Sequence, residues 1–317
     1  MKAVRYHEYG GTDVLRHDDV ERPVPGPGQV LVQVAATSFN PVDDHIRAGA
    51  LAGLMPVAFP YVTGIDLAGT VAEVGDGVTG VQAGDRVVAM LPLDSGGAAA
   101  EYVVAAAEAL AAAPRTIDLA DAAALPLTGL AAWQVLFELA ELKPGQTVLV
   151  NGAAGGVGGL VVQLAVDAGA TVTAVAESRE ADRLLGYGAV RVVDHLDLEA
   201  GPEAVGGPFD VVVNHVRLAS DDVARLSHYV ADGGVAASTA GPVPEDAARS
   251  TRSAALWVRS DAAQLGELAS RIDAGRLRLH VTARRPLAEL VAVHEDAGSG
   301  RLPGKTVLLA SGSTGTS

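Results

Sequence analysis

Apolar residues in the first third of the chain come in short stretches: around Val4, Gln29 to Ala36, Ile65 to Val74, Arg86 to Met90 and Glu101 to Val104. Turn clusters such as Pro23-Val24-Pro25-Gly26-Pro27-Gly28 and Gly75-Asp76-Gly77 separate them. Short apolar runs bounded by Gly and Pro predict strands, here of a small, irregular β-barrel-like domain. From about Asp121 the pattern changes. Thr128 to Leu139 has helical spacing and stops before Lys143-Pro144-Gly145, Thr147 to Asn151 reads as a strand, and Gly156 to Ala168 reads as a helix. Further strands are predicted at Thr171 to Ala176, Arg191 to Asp194, Phe209 to Asn214 and Gly234 to Ser238, with a helix at Asp221 to Val230. Such alternation belongs to a parallel, doubly wound sheet.

After Trp257-Val258-Arg259 come a helix opened by Ser260-Asp261 and closed by Gly275, a second opened by Pro286, and a strand at Thr306 to Leu309. These are too few for a third domain, so they are expected to fold back on the first. The fold class is therefore α/β, with one domain from residues 1–119 and 260–317 and another from residues 120–259. The small polar tail Ala310 to Ser317 is expected to take no part in either.

Composition narrows the function. A chain of 317 residues with 49% hydrophobic content exceeds what one core usually organises. Aromatics are scarce at 4%, and a core of Ala, Val and Leu suits buried parallel strands. The formal charge of -15, with no Lys/Arg-rich run, excludes the footprint of a nucleic-acid binder. Cysteine is absent, which removes disulfides, thiolate catalysis and any thiolate zinc site. No apolar run has bilayer length and no secretory leader opens the chain, so the expectation is a soluble, cytoplasmic protein without membrane partners.

The strand Val148-Leu149-Val150 feeds into Gly152-Ala153-Ala154-Gly155-Gly156-Val157-Gly158, and helical spacing follows. Small residues let backbone approach a diphosphate closely, and the N–H groups of Gly155, Gly156, Val157 and Gly158 at the helix start offset its charge. Ala153 stands where the fingerprint has its first glycine, so the flanking strand and helix carry the assignment. About 20 residues further on, Glu177 occupies the place of an acid that binds a ribose hydroxyl, which favours NADH. Ser178 and Arg179 follow and suit the additional phosphate of NADPH. Equally, Arg179 can open a solvated helix and pair with Glu180 or Asp182.

Motifs along nearly the whole chain resemble the medium-chain dehydrogenase/reductase superfamily, and within it the zinc-free quinone oxidoreductase, or zeta-crystallin-like, branch. They include Pro25-Gly26-Pro27-Gly28-Gln29-Val30-Leu31-Val32, Asn40-Pro41-Val42-Asp43, Gly64-Ile65-Asp66-Leu67-Ala68-Gly69 and Gly84-Asp85-Arg86-Val87. The longest runs from Pro126-Leu127-Thr128-Gly129-Leu130-Ala131-Ala132-Trp133 through Leu142-Lys143-Pro144-Gly145-Gln146-Thr147 into the glycine turn, and Pro303-Gly304-Lys305-Thr306-Val307 closes the set. The resemblance implies a GroES-like β-barrel catalytic domain, a Rossmann domain, a cleft between them and a homodimer. It favours NADPH as the coenzyme. Zinc-dependent relatives carry Cys in the segment matching Ser38 to Asp43 and Gly-His-Glu where this chain has Gly64-Ile65-Asp66, so no catalytic zinc is expected.

The resemblance also places Asn40 at the nicotinamide end of the cleft and Thr128 near the ring or its ribose. His45 stands where relatives often have Tyr or Lys, and an imidazole there suits a hydrogen bond or proton to the substrate oxygen. A partly exposed histidine paired with Asp43 or Asp44 is the alternative. His195 matches a position that packs on adenine, and His294 is expected to be structural. Asn214-His215-Val216-Arg217 departs from the small residues of relatives beside the nicotinamide amide. It adds bulk and cationic character, suited to a specialised anionic or polyphenolic substrate unless both side chains turn to solvent.

Without a metal, hydride transfer from nicotinamide needs an acceptor made electrophilic by conjugation, which quinones and α,β-unsaturated carbonyls supply. The resulting expectation is an NAD(P)H-dependent quinone or enone reductase, in one version a tailoring enoyl reductase of a biosynthetic pathway. The alternatives are a coenzyme-loaded binding or structural protein, whose RNA-binding form the acidic charge opposes, and a redox-neutral enzyme on the same fold.

Overall fold

The computed structural model describes residues 1–310. The tail 311–317 lies outside the described residues. The chain forms two compact units: Met1–Leu127 with Ser260–Gly275 and the described residues from Leu279 to Ala310, and Thr128–Arg259 with Arg276–Arg278.

The first unit opens with β1 (Lys2–Tyr6), β2 (Arg16–Asp19), β3 (Gln29–Ser38), helix α1 (Pro41–Arg47), β4 (Tyr61–Val62), β5 (Asp66–Val74), β6 (Arg86–Met90), β7 (Tyr102–Ala106) and β8 (Ala111–Ala112). Period-two alternation along β3 turns alternate valines to one side. Val30, Val32 and Val34 enter a core with Leu67, Val71, Val87 and Leu110. A second core gathers Val4, Tyr6, Phe39, Ile46 and Tyr61.

The second unit contains the end of α2 (Pro126–Trp133), which continues as a wider helical turn to Leu139, then β9 (Thr147–Asn151), α3 (Gly156–Asp167), β10 (Thr171–Val175), α4 (Ala181–Gly186), β11 (Arg191–Val193), β12 (Phe209–Asn214), α5 (Ser220–Leu226), β13 (Val230–Ser238) and β14 (Arg252–Ala255). Its six-stranded sheet has the order β11-β10-β9-β12-β13-β14, parallel throughout. Counted from β9 this is 3-2-1-4-5-6, the doubly wound dinucleotide-binding order. Val148, Leu149 and Val150 on β9 and Val211, Val212 and Val213 on β12 are fully buried, as expected for central strands covered on both faces.

The chain returns to the first unit through α6 (Ala262–Asp273), β15 (Ala283–Pro286), α7 (Leu290–Gly298) and β16 (Thr306–Leu309). Asp261 caps α6 by accepting from the Gln264 N–H at 3.0 Å. Strand β16 pairs with β3, extending the sheet to β15-β16-β3-β5-β6-β8. The division between the units falls after Leu127 rather than at residue 120. Two interactions tie this stretch to the first unit: Arg284 makes a bidentate pair with Asp121 at 2.6 Å for each bond, and the Leu127 N–H donates to Asp66 Oδ1 at 2.7 Å. Among the described residues no helix is long and apolar enough to cross a membrane.

Candidate functional site

In the second unit, the chain leaves β9 at Asn151 and turns sharply at Gly152, whose φ of +85° is strained for any residue with a Cβ. The Gly155 N–H closes the turn on the Gly152 carbonyl at 3.2 Å, and α3 then starts with no side-chain cap. Its first N–H groups, from Gly156 to Gly158, have no intrahelical partner and form the positive end of a 12-residue helix. A Cβ at Gly158 would lie 2.2 Å from the Gly152 carbonyl oxygen, so the turn and the helix touch through glycine. A Cβ at Gly155 would meet only that oxygen, at 3.5 Å, and Gly155 is exposed. The turn is thus closed underneath and open above, as a backbone cradle for a diphosphate must be.

This cradle stands at the carboxyl end of β9, and β9 and β12 are the neighbours at which the strand order reverses. Ligands bind in the crevice at such a switch point. Asn151 on β9 is in register with Asn214 on β12, and its Nδ2 donates to Asn214 Oδ1 at 2.9 Å. The Asn214 Nδ2 donates to the Val216 carbonyl at 2.9 Å, so its amide shapes the turn that follows. That turn lays His215 and Val216 against Gly152.

His215 requires a correction. Its Nδ1 lies 2.9 Å from Thr239 Oγ1, its Nε2 is buried without a partner, and burial pushes the imidazole down to about 4. The ring is neutral at physiological pH and adds no cationic character. Arg217, two residues on, is exposed.

At the ends of β10 and β11 stand the residues expected to meet the adenosine half. Glu177 pairs with Arg179 at 3.0 Å, and Arg179 also approaches Glu180 at 3.7 Å. Ser178 donates both its N–H and its hydroxyl to Asp194 Oδ1, at 2.7 and 2.8 Å. His195 is exposed, with Nδ1 3.5 Å from Asp194 Oδ2. Sequence reasoning missed two residues here. Asp194 lies 16 residues from its partner Ser178, and Arg183 reaches back from α4 to the Ala154 carbonyl at 3.0 Å.

In the first unit, the candidate Asn40 stands beside an unforeseen centre. Asp66 at the start of β5 is 0% exposed, and it accepts from the Ser38 hydroxyl, from Asn40 Nδ2 at 2.8 Å and from the Leu127 N–H. The Lys305 ammonium, itself buried, sits 3.2 Å from Asp66 Oδ2 and donates to Asn40 Oδ1 at 2.6 Å and to the Phe39 carbonyl at 3.3 Å. Asn40 is therefore held at both ends of its amide. The hydrogen bond on Leu127 also anchors α2 immediately before Thr128, which is buried.

His45 is half-buried on α1. Its neighbour Asp44 pairs with Arg47 at 2.8 Å and with the buried His294 at 2.6 Å. On the same helix Asp43 accepts from the Asn40 N–H at 2.9 Å, and its Oδ1 has no partner. Burial and the nearby Asp66 push the Asp43 carboxyl up to about 6, against the opposing pull of His294 and Lys305.

Comparison with known proteins agrees with this geometry. Residues 26–115 match the alcohol dehydrogenase GroES-like domain family, and residues 180–308 match a family described as zinc-binding dehydrogenase. The quinone oxidoreductase of Mus musculus is 34% identical over 334 residues, covering 98% of each chain. The chain belongs to the medium-chain dehydrogenase/reductase superfamily, in its quinone oxidoreductase branch. Among solved structures of this superfamily, the quinone oxidoreductase from Coxiella burnetii superposes with a TM-score of 0.85 at 29% identity, covering 98% of this chain and 99% of that one. A mycobacterial protein complexed with NADPH superposes with a TM-score of 0.81 at 31% identity, covering 98% and 100%. The chain has no cysteine, and among the described residues no three His, Asp or Glu side chains stand together as a metal site requires.

Proposed function

We propose that this chain is an NAD(P)H-dependent reductase of quinones and α,β-unsaturated carbonyls that works without a metal. One observation carries the reading: an uncapped helix start behind an open glycine turn, at the switch point of a sheet ordered 3-2-1-4-5-6. Gly155, Gly156, Val157 and Gly158 hold the diphosphate, Glu177, Ser178, Arg179 and His195 meet the adenosine half, and Asn214 and His215 border the nicotinamide half. The coenzyme, when bound, supplies a hydride from its nicotinamide ring.

The chain's own residues supply position and a proton. Asp66 and Lys305 fix the Asn40 amide, and Asp66 anchors the start of the helix that carries Thr128. A metal at this place is disfavoured by the residues themselves, because a lysine ammonium already lies against the buried Asp66 carboxylate. His45 delivers the proton that completes reduction. By resemblance the active form is a cytoplasmic homodimer, and β14 offers the exposed edge of the six-stranded sheet for pairing with a second copy.

Oxidation of NADH and NADPH, followed by absorbance, tests the proposal with benzoquinone, a naphthoquinone, a conjugated enone and a saturated ketone. Turnover with the first three and not the last is expected. Bound coenzyme that none of the acceptors oxidises would favour the redox-neutral or binding alternatives.

A further inference from the structure

The side chains able to donate at the corner where the adenosine ribose would lie, Ser178, Arg179 and Arg183, are already turned toward carboxylates or a carbonyl. Glu177 and Asp194 stand just beyond neighbouring parallel strands β10 and β11, joined there by the Ala176 N–H to the Val193 carbonyl at 2.9 Å. Asp194 takes both donors of Ser178, and these bonds hold its carboxyl below the usual carboxylate range, so it is ionised at neutral pH. Arg179 lies between Glu177 and Glu180, and Arg183 donates to Glu180 at 2.6 Å as well as to the Ala154 carbonyl.

A phosphate on the ribose would bring close to two negative charges and three acceptor oxygens into this corner. It would face three carboxylates and would compete with them for the donors of Ser178 and Arg179. A free ribose hydroxyl instead needs an acceptor, and the Glu177 carboxylate supplies one. We propose that Asp194 is a specificity-determining residue: by holding the Ser178 N–H and hydroxyl, it denies them to a ribose phosphate and makes this chain an NADH-preferring enzyme. The inference rests on the dinucleotide reading of the glycine turn. It goes beyond that reading by assigning the coenzyme choice to a residue on the next strand.

Dissociation constants for NADH and NADPH, measured by coenzyme fluorescence, test it in the wild type and in Asp194→Ala and Asp194→Asn variants. The wild type is expected to bind NADH at least about tenfold more tightly than NADPH, the equivalent of one lost charge-assisted hydrogen bond. In Asp194→Ala the ratio of the two constants should shrink by about tenfold, chiefly through tighter NADPH binding. Asp194→Asn keeps an acceptor for Ser178 without the charge, and it should fall between. It also carries the test should the alanine variant fail to fold, which circular dichroism reports. Wild-type NADPH binding as tight as NADH binding, or a ratio unmoved in both variants, overturns the proposal. Failure of the wild type to bind either coenzyme removes the dinucleotide reading itself, and this inference with it.

Discussion

Replacing Lys305 by Met tests the electrostatic centre of the first unit. Methionine matches the lysine stem in length and flexibility, so the change removes the charge while largely preserving packing. It leaves Asp66, 0% exposed, without its counter-ion, and leaves Asn40 Oδ1 and the Phe39 carbonyl without a donor. Breaking a buried pair from one side costs about 3–5 kcal/mol. Three donors remain on Asp66, from Ser38, Asn40 and Leu127, and they place the expectation near the lower figure. For a unit of this size that lowers Tm by about 10 °C. Removing the stranded charge as well, in the Asp66→Asn, Lys305→Met double variant, should recover about 2 kcal/mol relative to the sum of the single changes. The probe matters, because the two tryptophans, Trp133 and Trp257, both lie in the second unit. Urea unfolding followed by far-ultraviolet circular dichroism should show an early transition that tryptophan fluorescence does not. A loss under about 1 kcal/mol, or strictly additive changes in the double variant, would refute the reasoning.

Three further outcomes are expected. Gly158→Ala drives a Cβ to 2.2 Å from a backbone oxygen and should cost about 1–3 kcal/mol of stability along with coenzyme affinity, whereas Gly155→Ala should weaken coenzyme binding at nearly unchanged Tm; calorimetry and thermal unfolding on both variants separate the two effects, and equal Tm losses would contradict the open cradle. Asp43 titrates in the unfolded chain near 3.8 and in the fold at about 6, so the fold binds the extra proton in that window and stability falls as pH rises through it. Asp43→Asn should therefore raise the unfolding midpoint at neutral pH and make no difference near the acid end of that window; a pH-independent difference counts against the buried carboxyl. His45→Phe should lower turnover by about 10²-fold, and unchanged kinetics would take proton delivery away from His45.

The glycine turn, the strand before it and the helix after it were legible because each depends on near neighbours: apolar alternation sets the strand, small residues permit the turn, and spacing sets the helix. The same holds for the βαβ rhythm and for Asp261 as a helix cap. Asp66 and Lys305 each stood inside a motif with a recognisable pattern, Gly64-Ile65-Asp66 and Gly304-Lys305-Thr306, yet neither motif says that the two side chains meet. They are 239 residues apart, and only the pairing of β16 with β3, itself paired with β5, brings them together.

Chain order alone therefore determined the two-unit plan, the absence of thiol chemistry and the place where a diphosphate can be cradled, since local sterics and composition decide those. Tertiary structure decided which charges are neutralised: Lys305 against Asp66, Ser178 on Asp194, and a His215 ring left uncharged by burial. Electrostatic energy follows distance through space and access to water, and neither quantity is set until remote segments have packed.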